Sequence, residues 1–364
     1  MKCEPLSVFA LITDGHGVEG GIARYNAALL SALSASDQIS RVTVLARRAE
    51  LNAQTSDSKI RYRHSLENKA AFTAAVIKQA LAGDRHDIVF CGHLNMMPLA
   101  WFLARRWHAK LWVQMHGIEC WQRPSRLVRL PTESVDLITC VSRYTRRRVL
   151  EWCDIEPTTV RVLPNTLSEQ FDVPATQRPA DKFQELGAER TLRALTVARL
   201  SAAERYKGHD VMIKAIALLE QQGGCIHYVI AGDGDDRGRL ESLAYQLNVS
   251  QRVSFVGRVS EAELPSLYDQ ADVFVMPSTG EGFGIVFLEA RQRGCAVIAS
   301  NADGSVDPLR DGADGYLVPP NDPRALADLL GTLAQSGAAR GLSANVFSKH
   351  AFDAHLGRLL PLLA

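Results

Sequence analysis

Short apolar runs alternate with helical patterns along the first half of this chain, give way to a polar stretch, and then begin again. Strands are expected over residues 7–12, 41–46, 88–91, 110–115, 137–141 and 160–163, because each is a Val-, Ile-, Leu- or Phe-rich run of strand length. A helix is expected over 20–34, with Ile22, Leu29, Leu30 and Leu33 at helical spacing. Residues 168–190 are polar, hold two prolines and show no apolar period, so the linker is placed there. Strands follow at 193–198, 226–231, 253–256, 271–276 and 296–299, with a hairpin-like segment at 314–318 and helices at 209–220, 236–247, 261–268 and 323–334. Such alternation builds a parallel, doubly wound sheet, and its restart builds a second one. The expected fold class is α/β: two domains, residues 1–172 and 173–346, facing each other across a cleft. A last amphipathic segment, 347–364, is expected to pack back on the first domain.

The 364 residues suffice for two ordinary domains. No apolar run approaches the roughly 18 residues that span a bilayer. The apolar run at 6–12 follows Glu4 and ends at Asp14-Gly15 without a small-residue cleavage pattern, unlike a signal peptide. Seven scattered cysteines without a C-x-x-C indicate neither a zinc site nor a disulfide framework. A reducing cytoplasm is the simplest setting. The net charge of +1 hides an asymmetry: residues 105–148 hold ten basic side chains against three acids. An anionic partner is therefore expected for the first half only. Nucleic acid is not expected, since the overall charge is near zero and no binding motif is present.

Four stretches carry chemistry. In residues 271–290 a buried strand ends at Pro277, a glycine-rich turn holds Glu281, and an apolar helix holds Glu289. A turn leading into a helix start is an anion cradle, because the first amides have no partner inside the helix. Two carboxylates flanking it could take sugar and ribose hydroxyls; by themselves they could equally be a helix cap and a solvated acid. Arg199 and Lys207 bracket a strand-to-helix loop and could clamp a diphosphate, or be a solvated basic loop. His116 ends a strand and points toward the expected cleft, as a ligand-binding group or a polar filler. Gly15-His16-Gly17-Val18-Glu19-Gly20 is a literal G-x-G-x-x-G, and Arg47-Arg48 ends the second strand where an NADP enzyme would hold a 2′-phosphate. Nothing in the second half supports a dehydrogenase.

Taken in order, Arg199 to Lys207-Gly208, Ala231-Gly232-Asp233-Gly234, residues 253–257, and Pro277-Ser278 through Glu281-Gly282-Phe283-Gly284 to Glu289-Ala290 resemble the retaining glycosyltransferases of family 4. Gly20-Gly21, His116-Gly117 and Leu163-Pro164-Asn165 fit more loosely. The resemblance covers nearly the whole chain. It implies the GT-B fold, two Rossmann-like doubly wound domains facing an interdomain cleft. It also implies transfer from a UDP- or GDP-sugar with retention of configuration, and no metal or other cofactor. Asp233 and Asp235 form a D-x-D string, but within the family's Gly-Asp-Gly strand end. By the resemblance Arg199 and Lys207 hold the donor diphosphate. Phe283, Gly284, Ile285 and Val286 offer backbone amides. Glu289 binds the ribose and Glu281 the transferred sugar. The loop around Arg258 packs on the base, His116 lies near the sugar, and Gly20 and Gly21 close over the phosphates. One departure is the longer Arg-to-Lys loop, in which Arg205 could share a phosphate contact.

The acceptor is expected to be a glycan or a polyprenyl-diphosphate-linked chain, in surface or exopolysaccharide assembly. Arg143, Arg146 and Arg147 could share one helical face. With Arg123, Arg126, Arg129, Arg148, Trp121, Leu127 and Leu130 they form a candidate surface for anionic lipid at the inner face of the cell membrane; a solvated face is the alternative. Two other readings stay open: a related epimerase of nucleotide sugars, and a non-catalytic sugar-nucleotide binding protein.

Overall fold

The computed structural model describes residues 4–18, 20–50, 58–168, 171, 191–336 and 346–364, with only the backbone at residues 64 and 65. The expected linker lies almost wholly outside the described residues. The chain divides into two compact units, Met1–Ser168 with Val346–Ala364, and Glu169–Asn345.

In the first unit the described strands are β1 (Leu6–Asp14), β2 (Ile39–Arg48), β3 (Ile60–Ser65), β4 (Ile88–Cys91), β5 (Lys110–Met115), β6 (Leu137–Cys140) and β7 (Val160–Val162). They pair in parallel in the order β3-β2-β1-β4-β5-β6-β7. The helices between them are α1 (Gly21–Ala35), α2 (Lys69–Leu81), α3 (Met97–Trp107), α4 (Arg126–Thr132) and α5 (Arg143–Leu150). Phe9, Leu11, Val89 and Val113 bury one face of this sheet against Phe72 and Val76 of α2 and Leu103 and Trp107 of α3. Each such side chain withdrawn from water stabilises the fold by about 1.5–3 kcal/mol.

The second unit repeats the plan with β8 (Leu192–Val197), β9 (Ile226–Ala231), β10 (Val253–Gly257), β11 (Val273–Met276), β12 (Ala296–Ser300) and β13 (Tyr316–Val318). The order is β10-β9-β8-β11-β12-β13, again all parallel. Its helices are α6 (His209–Gln221), α7 (Arg237–Gln246), α8 (Leu264–Gln270), α9 (Ile285–Gln292) and α10 (Pro323–Ser336). The hairpin-like segment expected at 314–318 is corrected: β13 runs parallel to β12, the connection passing through turns at Gly304–Val306 and Arg310–Gly312. A crossover of that length adds a parallel edge strand, whereas a hairpin needs a two- to five-residue loop.

The last helix, α11 (Lys349–Leu359), belongs to the first unit. The Phe352 ring meets Tyr25 of α1 edge-on at 6.1 Å, and the Gln38 amide donates to the Gly357 carbonyl oxygen. The Phe347 carbonyl accepts from the Thr166 hydroxyl and the Leu167 amide. Among the described residues no helix is long and apolar enough to cross a membrane.

Each unit buries a histidine that burial pushes down to about 4: His86, bonded to the Thr43 hydroxyl and stacked on Trp107, and His209, bonded to the Tyr228 hydroxyl. Unfolding returns both to an ordinary value near 6.5, so between those pH values the unfolded chain binds more protons and stability is lost as the pH is lowered. Asp236, pulled down to about 2 by Arg239 and then Arg205, releases its contribution only below the carboxylate range. Denaturant unfolding at stepped pH should therefore show one loss from about 6.5 to 4 and a separate one below. His209→Phe should flatten the first for the second unit; an unchanged slope would refute this assignment.

Candidate active site

In a doubly wound sheet the ligand crevice opens at the carboxyl ends of the strands where the order reverses. In the second unit that point lies between β8 and β11. The loop leaving β8 carries Arg199 to Lys207, and the turn leaving β11 carries Ser278 to Gly284. The structure brings the two together. The Thr279 amide donates to the Tyr206 carbonyl oxygen at 2.8 Å, and Gly280 packs so close to the Tyr206 ring that a Cβ there would stand 2.7 Å from it.

Glu204 stands between the two cations of the first loop. Its carboxylate pairs with the exposed Arg199 guanidinium and, at 3.2 Å, with the Lys207 ammonium. Lys207 also faces Glu281. Burial pushes the Glu281 carboxyl above its ordinary value, and the Lys207 charge opposes that push. Arg205 is placed differently from Arg199: its guanidinium is engaged at 2.7–2.9 Å by the buried Asp236 carboxylate, which also binds Arg239. Asp235 accepts the Ala202 amide and Asp233 accepts the Gly234 amide, so both acids of the D-x-D string organise loop backbone. Gly232 is required there, since a Cβ at its φ of +144° would stand 1.8 Å from the Ala198 carbonyl oxygen.

Gly284 caps α9 at φ 82° with no side-chain cap hydrogen bond, so Phe283 and Gly284 lie in the turn and Ile285 and Val286 in the first turn of helix. Glu289 is fully buried and accepts from the Tyr268 hydroxyl at 2.9 Å. Arg258 is exposed just beyond edge strand β10, beside the Gly-Asp-Gly turn, where the Gly257 carbonyl oxygen accepts the Gly232 amide.

In the first unit His116 follows β5. Its Nε2 lies 3.0 Å from the Gly92 carbonyl oxygen, which can only accept, so the hydrogen sits on Nε2 and Nδ1 is the acceptor. The ring packs edge-on to Tyr25 at 5.0 Å, and burial holds its pKa below the ordinary value. Gly20, at φ 131°, caps α1, and among the described residues, apart from chain neighbours and the helix's own backbone, nothing lies within 4 Å of a Cβ placed on Gly20 or Gly21. Glu19 lies outside the described residues. The arginine face expected on α5 is corrected: Arg146 turns inward to the Val160 and Pro157 carbonyl oxygens, and Arg148 pairs with Glu151, leaving Arg143 and Arg147 exposed.

Residues 19–170 match the family model described as Glycosyltransferase Family 4, and residues 177–346 the one described as Glycosyl transferases group 1. The chain is 30% identical over 277 residues to the GDP-mannose-dependent alpha-(1-6)-phosphatidylinositol monomannoside mannosyltransferase of Mycolicibacterium smegmatis, covering 72% of this chain and 71% of that one. The chain belongs to glycosyltransferase family 4. This family 4 protein is also 33% identical over 187 residues to the amylovoran biosynthesis glycosyltransferase AmsK of Erwinia amylovora, covering 48% of this chain and 45% of AmsK. It spans about half the length of several curated relatives it matches. Its fold is GT-B: the Anabaena protein HepE, crystallised with UDP-glucose, superposes with a TM-score of 0.75 over 98% of this chain and 99% of its own, at 19% identity.

The residue that sequence reasoning missed in this family 4 site is Asp303, fully buried after β12. One carboxylate oxygen accepts the Ser278 hydroxyl at 2.6 Å and the Glu281 amide at 2.7 Å; the other accepts the Ser305 amide and hydroxyl. Beside it a Cβ on Gly304 would stand 2.0 Å from the Gly282 carbonyl oxygen. An acid followed by glycine after a strand is the signal that could have found both.

Proposed function

We propose that this chain is a retaining glycosyltransferase that moves a sugar from a UDP- or GDP-sugar to a glycan or lipid-linked acceptor in surface or exopolysaccharide assembly. The observation that carries the reading is the packed pair of loops over β8 and β11, which sets Arg199, Lys207, Glu281 and the start of α9 around one point. As the bond from the anomeric carbon to the diphosphate oxygen breaks, negative charge grows on the leaving group. Arg199, Lys207 and the first amides of α9 face that charge, and preorganised donors there stabilise the transition state more than the ground state. Glu204 holds the two cations until a diphosphate takes its place. The Glu281 carboxylate, desolvated and beside Lys207, accepts hydroxyl hydrogens of the sugar, and its backbone is fixed through Asp303. The acceptor oxygen attacks from the face the diphosphate leaves, and its proton passes to the departing phosphate oxygen, so configuration is retained. No metal is needed in this scheme, since the two side-chain cations take its electrostatic part.

Glu289 is offered as the ribose ligand, and Arg258 as a neighbour of the base. His116 is offered as a group near the transferred sugar, with a neutral ring and Nδ1 as acceptor. Gly20 and Gly21 leave α1 open for close approach of a phosphate. The amylovoran role named for AmsK supports the setting, and the donors named for the mycobacterial relative and HepE leave the base open between GDP and UDP. In the first unit, Leu127 is 79% and Leu130 56% exposed on α4, beside exposed Arg123 and Arg126. We assign them to contact with an anionic bilayer surface.

A thermal-shift series against UDP- and GDP-sugars tests the reading, because a ligand bound only by the folded state raises the midpoint. One nucleotide sugar should raise it, and nucleotide release should follow once an acceptor is added. No shift and no release across the panel would overturn the assignment; stabilisation without release in any acceptor extract would favour a binding protein.

A further inference from the structure

On the helical flank of the first unit an open cavity of about 470 Å³ is lined by Trp121, Gln122, Arg123, Arg148, Glu151 and Trp152. Residues 121–123 follow the turn Ile118–Cys120 beyond β5, Arg148 stands in the last turn of α5, and Glu151 and Trp152 come directly after that helix. The cavity therefore runs along the side of α5. None of its residues has a part in donor binding.

The two indoles are fixed by their polar edges. The Trp121 Nε1–H donates to the Thr145 hydroxyl at 3.2 Å, and the Trp152 Nε1–H to the Cys120 carbonyl oxygen at 2.8 Å. With each N–H engaged inside the fold, what the rings offer the cavity is carbon. Tyr144 meets the Trp121 ring edge-on at 4.9 Å and holds it further. Arg148 ties the two sides together: it donates to the Trp121 carbonyl oxygen at 3.2 Å and to Glu151 Oε2 at 2.6 Å. Its charge is thereby matched in place. Gln122, Arg123 and Glu151 are exposed around the opening. The Gln122 amide brings both a donor and an acceptor, Arg123 brings donors, and the Glu151 carboxylate brings acceptors.

Aromatic carbon beside mixed donors and acceptors complements a pyranose ring, which has an apolar C–H face and hydroxyls that each donate and accept. A phosphate or nucleotide would call for converging unpaired cations, and here Glu151 already matches Arg148. We propose that this cavity is a second carbohydrate site. One sugar ring of a glycan stacks on Trp121 and Trp152, and Gln122, Arg123 and Glu151 hold its hydroxyls. The site rests on the transferase reading only for why the protein meets a glycan: a hold on a residue other than the reacting one keeps a growing chain on the enzyme between transfers. The glycan can be free or lipid-linked, since the same stretch of chain runs into α4 with its exposed Leu127 and Leu130.

The test uses the whole chain. Cellohexaose and maltohexaose are titrated by calorimetry and by tryptophan fluorescence. Phosphatidylcholine vesicles are compared by co-sedimentation with vesicles that also hold monogalactosyldiacylglycerol, an uncharged glycolipid, or phosphatidylglycerol, a charged lipid without sugar. At least one sugar-bearing probe should bind, and an oligosaccharide that binds should change the emission. The chain has five tryptophans, so the change is assigned by its loss in Trp152→Phe. Trp152→Ala should weaken binding by roughly tenfold, the scale of one aromatic contact. Trp152 also packs against the core, so Gln122→Ala and Glu151→Gln, at exposed positions, decide the matter if that variant does not fold; each should weaken binding severalfold. The midpoint shift given by the nucleotide sugar should be the same in every variant. Its presence beside absent sugar binding would sink this site alone, whereas its absence from the unmodified protein would sink the donor reading and leave this site to its own probes. No binding of any sugar-bearing probe, binding untouched by all the variants, or vesicle binding that follows phosphatidylglycerol and not the glycolipid while neither oligosaccharide binds would each overturn the assignment.

Discussion

Lys207→Ala is expected to lower turnover at saturating nucleotide sugar by roughly a hundredfold or more, the cost of removing one preorganised donor from a developing anion. The expectation follows from where the ammonium stands: 15% exposed, 3.2 Å from Glu204 and opposing the burial of Glu281. Its loss acts twice. The leaving diphosphate loses a point charge, and Glu281 loses the cation that holds its carboxyl down, so Glu281 stays protonated to a higher pH. The acidic limb of the pH–rate profile should move upward in Lys207→Ala, with kcat falling more than KM rises. Arg199→Ala should cost less, because its guanidinium is mostly exposed and a charge in water is screened. A Lys207→Ala protein with near-normal kcat, or with an unmoved acidic limb, would remove Lys207 from the site.

The two sheets were legible because parallel strands write themselves as continuous apolar runs, and β4, β6, β11 and β12 are buried at every position. Edge elements were less so. β3 (Ile60–Ser65) reads Ile-Arg-Tyr-Arg-His-Ser, without an apolar run, and β13 is three residues long. The site split in the same way. Arg199, Lys207 and Glu281 could be found because each sits a fixed distance from a strand end. What surrounds them could not be read, because it depends on pairing across strands. Nothing in the order Glu204-Arg205-Tyr206-Lys207 says that Glu204 turns to the cations of its own loop while Arg205 turns away to Asp236, 31 residues on. The inward turn of Arg146 is a similar case. Helical spacing put it on one face with Arg143 and Arg147, but the carbonyls that capture it come from the loop and strand that follow.

Asp303 shows the largest gap between sequence and site, and its replacement should have the largest structural effect. Asp303→Ala removes an acceptor that two hydroxyls and two amides share, all within a buried loop crossing. Each donor left without a partner costs about 1–3 kcal/mol, and relaxation recovers part of it. The second unit should lose on the order of 3 kcal/mol in denaturant unfolding. The turn from Ser278 to Gly284 should also lose its registration, because the Glu281 amide is held by this carboxylate and the Gly304 amide donates back to the Glu281 carbonyl oxygen at 2.9 Å. Donor binding should weaken with it. Asp303→Asn separates stability from placement. Its single remaining carbonyl oxygen can satisfy either the Ser278 and Glu281 pair or the Ser305 pair, and its NH2 finds donors where it needs acceptors. The asparagine protein should therefore unfold more easily than the parent and less easily than the alanine protein, with nucleotide-sugar affinity also between the two. If Asp303→Asn were destabilised as much as Asp303→Ala yet bound the donor like the parent, the carboxylate would hold the fold and not the position of Glu281.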